Sequence, residues 1–213
     1  MKKKIFAVVL IAVLSICVAM PAFATAGFNK GVFDTVEDIT VDDDDMTGIA
    51  TVSSTSLSKG RNAAIDIDWS TVVTIRPHIS VSKDLDAYSF SVGYVADSWE
   101  FIDKMIIKIG DKRYTFSDLD VSRDVRSSGS IQESFVVFMN SDVNAMMQDL
   151  IAHRDEEIKI RLSGSRGSVD FVLSKNIKDA MIHLYNVFAA GGGINQTNMK
   201  ILDAATSFTV DVD

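Results

Sequence analysis

The sequence predicts a mainly β protein with two α-helices. The expected architecture is an antiparallel β-sandwich-like domain, with helices packed on or beside the sheet. Three observations carry this. From Thr71 onward, apolar and polar residues alternate with period two, the pattern of half-buried strands. Gly110-Asp111 stands between two alternating runs as a two-residue turn of the kind hairpins prefer. Two stretches instead repeat apolar residues at i, i+3, i+4 and i+7, which is one face of a helix. No strand–helix–strand alternation points to a parallel sheet.

Residues 1–24 read as a cleaved signal peptide. Lys2, Lys3 and Lys4 make a positive start, Ile5 to Met20 is an apolar run, and Ala22-Phe23-Ala24 supplies an A-x-A cleavage site at Ala22 and Ala24. The run of about 16 residues is shorter than the roughly 20 that span a bilayer core, so no membrane span is expected after cleavage. Cys17 lies inside the run with Ile16 before it, which argues against lipidation. The expected location is therefore exported, periplasmic or extracellular. The one cysteine leaves with the signal, so the mature chain rests on its core without disulfides.

Residues 25–70 read as an acidic, polar N-terminal arm, loosely attached, with short strands at Gly48–Val52 and Ala64–Trp69. Residues 71–190 form the β-rich globular domain. In Val72–Val81, residues Val73, Ile75, Ile79 and Val81 share a face, while Pro77 lacks an N–H and pushes this strand toward an edge or a bulge. Tyr88, Phe90, Val92 and Tyr94 share a face of the next strand. Lys104–Ile109 and Lys112–Phe116 flank the Gly110-Asp111 turn, and Ile131–Met139 is a further strand. Ile158, Ile160 and Leu162 alternate before a flexible loop, Ser163–Ser168, and Val169, Phe171 and Leu173 return.

The first helix is capped by Ser141 and buries Val143, Met146, Met147, Leu150 and Ile151. The second is capped by Ser174, buries Ile177, Ala180, Met181, Leu184, Tyr185 and Phe188, and stops at Gly191. Residues 191–213 are a polar C-terminal tail in which Phe208, Val210 and Val212 alternate as a possible edge strand.

Composition narrows the function classes. At 47% hydrophobic and 23% charged, with two prolines and one cysteine, the chain is neither collagen-like, nor wholly disordered, nor a disulfide scaffold. The formal charge is −8, and losing Lys2–Lys4 leaves 18 basic against 29 acidic residues, or −11. Such a surface repels phosphate backbones and anionic lipid, so neither nucleic acid nor a membrane surface is an expected partner.

From Tyr94 to Phe188 the chain resembles a loosely defined set of bacterial exported β-rich domains of unknown function. The resemblance rests on Tyr94, on Asp97-Ser98-Trp99-Glu100-Phe101-Ile102, and on the hairpin Lys104 to Phe116. Arg161-Leu162-Ser163-Gly164 and the amphipathic C-terminal helix complete it. It covers under half of the chain. It implies a β-sandwich-like exported domain and brings no catalytic residues.

The candidate sites follow from residue chemistry. Tyr88, Tyr94, Trp99 and Phe101 are aromatics beside a sheet, suited to stacking on sugars or peptides or to building the core. Asp42, Asp43, Asp44 and Asp45 offer the oxygens that Ca²⁺ wants, the one cofactor the sequence suggests; the loop spacing of a calcium hand is absent, and a solvated acidic linker is the alternative. His78, His153 and His183 have no second ligand at i+4. No G-x-S-x-G elbow occurs, and Gly191–Gly193 follows a helix instead of opening one.

The expected function is thus an exported, non-enzymatic binding or structural accessory protein with an unknown protein or glycan ligand. The alternatives are a secreted hydrolase whose carboxylate pair, such as Asp118 with Asp120 or Glu156 with Glu157, is assembled in the fold, and a calcium-dependent adhesion module.

Overall fold

The computed structural model describes residues 28–58 and 62–213. The expected signal peptide, with Ala22 and Ala24, lies outside the described residues. The chain opens with a 3-10 turn, Lys30–Thr35, and continues through β1 (Ile39–Asp44), β2 (Ile49–Ser54), the short α1 (Thr55–Ser58), β3 (Ala64–Asp66), β4 (Val72–Val81) and β5 (Asp86–Ala96). Next come β6 (Ile102–Ile109), β7 (Lys112–Ser117), β8 (Ser122–Val125), β9 (Ile131–Phe138) and α2 (Ser141–Ala152). Last are β10 (Lys159–Gly164), β11 (Gly167–Val172), α3 (Lys175–Ala190), α4 (Gln196–Ala205) and β12 (Thr209–Val212).

These strands make two antiparallel sheets with helices, as the alternation predicts. The seven-stranded sheet has the order β1-β2-β4-β5-β9-β8, with β3 also on β4. The five-stranded sheet has the order β11-β10-β6-β7-β12. Ile79, Tyr88, Phe90, Met105, Phe116, Val137 and Ile160 from both sheets join Met147, Leu184 and Phe188 in one core. α3 lies against β4, β5 and α2. The Tyr88 hydroxyl donates to the Met181 carbonyl at 3.2 Å, so the one polar atom of that buried ring is satisfied.

Several local expectations change. β4 is central, not an edge: it pairs with β5 along its whole length and with β2 and β3 on its other side. Pro77 is tolerated because of where its missing N–H would point. Ile75 N–H donates to Ala63 O at 3.1 Å, and strand residues two apart direct their backbone groups the same way. Pro77 therefore faces the gap between the stretch paired with β3, ending at Thr74, and the stretch paired with β2, starting at His78.

The cap of α2 is Asn140, whose side chain accepts from Val143 N–H; Ser141 instead gives its N–H and hydroxyl to Asp203 at 2.7 and 2.8 Å. Ser174 does sit at the N-cap of α3, but its hydroxyl makes no capping bond. The expected flexible loop after Leu162 is a tight hairpin, with Gly164 opposite Gly167. The tail contains a third long helix, α4, capped by Asn195, before β12 adds to β7 as the expected edge strand.

The acidic arm is also more structured than an irregular linker. Ile39–Asp44 pairs residue for residue with Ile49–Ser54, and β2 pairs onward to β4. Phe28 stacks on Phe188 with centroids 6.0 Å apart, and Asn29 N–H donates to Gly191 O at 2.9 Å. A Cβ on Gly191 would stand 2.1 Å from the Phe28 ring, so this helix stop must be glycine for the aromatic to dock.

Candidate functional site

β5 ends in the seven-stranded sheet and β6 begins the five-stranded one. Asp97–Phe101 carries the chain between them, and this link is where the unusual chemistry gathers. Strand β9 supplies the anchor. Ile131, Glu133, Phe135 and Val137 share its buried face, so alternation forces a carboxylate into the core.

Glu133 has no exposed side-chain surface and is saturated with donors. One oxygen accepts from Glu100 N–H and Phe101 N–H at 2.8 and 2.9 Å. The other accepts from Ile102 N–H at 2.8 Å and Arg123 Nε at 3.1 Å. Arg123 also donates through Nη2 to the Ile102 carbonyl at 2.8 Å. Three successive backbone donors plus a guanidinium offset the large cost of burying a charge.

Gathering three successive N–H groups on one carboxylate bends the link. Phe101 takes φ 54°, a left-handed conformation that costs a non-glycine residue roughly 1–3 kcal/mol. The hairpin of β10 and β11 closes against the same link. A Cβ on Gly164 would lie 2.2 Å from Glu100 O, so only glycine admits this approach, and Arg166 N–H donates to Glu100 O at 3.2 Å.

The result is an aromatic residue pushed outward between two cations. Phe101 is 36% exposed. Trp99 stacks on it with centroids 6.0 Å apart and planes 28° from parallel. The Arg166 and Arg123 guanidinium carbons lie 5.0 and 5.7 Å from its ring centroid. Arg123 is engaged by Glu133, whereas the Arg166 guanidinium has no ion pair or side-chain hydrogen bond among the described residues. Glu100 Oε2, on the same link, is buried with no hydrogen-bond partner among the described residues.

The four aromatics expected as a group are split. Phe101 makes the exposed edge, with Trp99 half-buried behind it. Tyr94 is buried opposite Glu133, and burial followed by the charges of Glu100, Glu133 and Asp68 pushes its hydroxyl up to about 12. Tyr88 lies in the core under α3, with its hydroxyl pushed upward by burial. Glu133, Arg123 and Arg166, which complete the site, carry no motif that marks them in the sequence. A charged residue in phase with Ile131, Phe135 and Val137 was the available signal.

The remaining candidates lie elsewhere. Asp42 and Asp43 are exposed on β1, Asp45 is in the following turn, and Asp44 Oδ1 accepts the N–H groups of Met46 and Thr47 at 3.0 and 3.4 Å. Among the described residues no three His, Cys, Asp or Glu side chains gather as a metal ion would need. His153 Nδ1 bonds Asp149 O, and His183 Nε2 bonds Glu37 O at 3.0 Å. His78 is buried: its Nε2 pairs with the Ser89 hydroxyl at 2.8 Å, and burial drives it down to about 4. Asp118 accepts from the Thr209 hydroxyl, and Glu157 pairs with Lys159. No helix among the described residues is long and apolar enough to cross a membrane. The chain matches no family model, no curated protein and no solved structure.

Proposed function

We propose that this is an exported, non-enzymatic binding protein that takes a carboxylate-bearing glycan on the rim formed by Trp99, Phe101 and Arg166. One observation carries the reading: a guanidinium with no ion pair or side-chain hydrogen bond among the described residues lies over an exposed aromatic ring, and a fully buried glutamate holds that ring's backbone in place. An aromatic face takes the apolar C–H face of a sugar ring. A guanidinium presents parallel donors that match a carboxylate. Uronic acid residues offer both surfaces on one unit. The rim is built in advance, so little ordering entropy opposes binding. Lys2–Lys4, the apolar run and the A-x-A sequence support export.

Calorimetry with tetragalacturonate and with a neutral tetrasaccharide of glucose tests this. The charged sugar should bind, more weakly as salt rises. Phe101→Ala and Arg166→Gln should each lower its affinity about tenfold, equivalent to about 1.4 kcal/mol, without moving the thermal midpoint downward. Equal binding of the neutral sugar, or no binding of either, would overturn the reading. Release of shorter products would favour the hydrolase.

A further inference from the structure

Among the described residues the seven-stranded sheet ends in two open edges of opposite character. β1 reads Ile-Thr-Val-Asp-Asp-Asp, and β8 reads Ser-Arg-Asp-Val and runs on to Arg126. Each carries an exposed valine: Val41 at 44% and Val125 at 60%. Every neighbouring pair from β1 to β8 is antiparallel, so β1 and β8 run in opposite directions. A second copy placed beside the first by simple translation thus presents its β1 antiparallel to β8.

The backbone phase agrees. Asp38 O accepts from Thr55 N–H, and Asp44 O from Gly48 N–H, so the even residues of β1 turn their backbone groups inward toward β2. Ile39, Val41 and Asp43 turn theirs outward. Arg126 N–H donates to Ser130 O, so the even residues of β8 turn toward β9, and Arg123 and Val125 turn outward. Outward residues on two antiparallel edges meet as hydrogen-bonded pairs.

The side-chain faces agree as well. Val41 stands opposite the buried Val52, and Val125 opposite the buried Ile131, so both valines lie on the core-facing side of the sheet. Setting Val41 against Val125 places Asp43 against Arg123 on that same face. Two copies of β1 would instead bring Asp42–Asp44 of both onto one seam, where like charges oppose pairing.

We propose that copies of this chain associate head to tail by strand addition, β8 of one copy pairing antiparallel with β1 of the next. The contact is heterologous, and sheet twist turns the translation into a screw, so it builds open chains instead of closed dimers. Asp124 guards the seam. Its Oδ1 accepts the outward Val125 N–H at 2.8 Å, and in this register it faces Asp42 across the outer side. Association therefore requires that carboxylate to swing away.

Sedimentation velocity on the purified protein tests the proposal. The wild type should form a concentration-dependent series that extends beyond the dimer, and Asp124→Ala should tighten it about fivefold or more by removing guard and repulsion together. Val41→Lys and Val125→Lys each spoil one edge and should each be monomeric alone. Mixed one to one, they should give a heterodimer and nothing larger, since one good β8 and one good β1 remain. Unchanged thermal midpoints would certify both folds. Dimers of Val125→Lys alone, a wild type that stops at two, a monomeric mixture, or monomeric wild type and Asp124→Ala would each overturn the proposal.

Discussion

Glu133 and Asp86 are two carboxylates buried to nearly the same degree, 1% and 2% exposed, on adjacent strands. Their surroundings differ in one respect, the supply of donors. Glu133 receives three backbone N–H groups and a guanidinium on its two oxygens. Asp86 has the Phe28 N–H and the nearby charge of Lys30, and its Oδ1 has no donor among the described residues. Beside it, Asn198 spends both amide hydrogens on the carbonyls of Asp86 and Gly193, so Asn198 Oδ1 also lacks one. Burial, opposed by that N–H and Lys30, raises Asp86 to about 6. Saturation with donors, not depth, decides whether a buried carboxylate organises its surroundings or burdens them.

The extreme of that contrast is a buried carboxylate with no donor at all. Leu184 is wholly buried on α3, and Leu184→Asp should lower stability by more than about 4 kcal/mol. Chemical denaturation reads the loss, and a smaller one would show that α3 yields to admit water. Next in size is Glu133→Ala, which orphans three backbone donors and the Nε of Arg123. A loss of about 3–5 kcal/mol is expected. A loss under about 1 kcal/mol would mean the link is held by its other contacts.

Asp86→Asn should act in the opposite direction. The folded state raises this carboxyl above its unfolded value of 3.8, so its contribution favours folding below that value and is lost as pH rises through about 6. The asparagine variant should therefore denature at a higher temperature than wild type at pH 7. His78 has the reverse linkage: lowered from 6.5 to about 4, its contribution is present above 6.5 and lost as pH falls through about 4. The two oppose each other between about pH 4 and 6. Asp86→Asn should thus make stability fall more steeply on acidification, and His78→Gln should make it rise. Parallel pH curves for both variants would remove either group from the account. The smallest effect belongs to Asp42→Asn on the exposed edge, expected to shift stability by less than about 0.5 kcal/mol in thermal melts at neutral pH.

Strong periodicity made much of this fold legible. Tyr88 to Tyr94 alternate along β5, Gly110-Asp111 closes β6 onto β7, and the apolar stripes of α2 and α3 are buried, except that Ile151 at the end of α2 is only half-buried. The 3-10 turn, β1, α1, β8 and α4 were not, and β1 and α4 show why. β1 ends in three aspartates, which carry poor strand propensity and suit an edge. α4 buries Ile201 and Leu202 together with the polar Asn198, too short an apolar stripe to stand out, although Asn195 was an available cap signal. Of the site, Trp99 and Phe101 were visible as aromatics. That Glu133 reaches the link from another strand depends on the pairing of β5 with β9, which local pattern does not specify.

The placement of β12 has a kinetic consequence. Val210 pairs with Phe116, and β7 pairs with β6, which in turn takes β10. The five-stranded sheet is therefore assembled from three widely separated stretches of chain, and its far edge is the last strand described. Loop closure over such separations must come before its contacts contribute, which slows folding. Until Thr209–Val212 arrives, the edge of β7 stays open to any other strand.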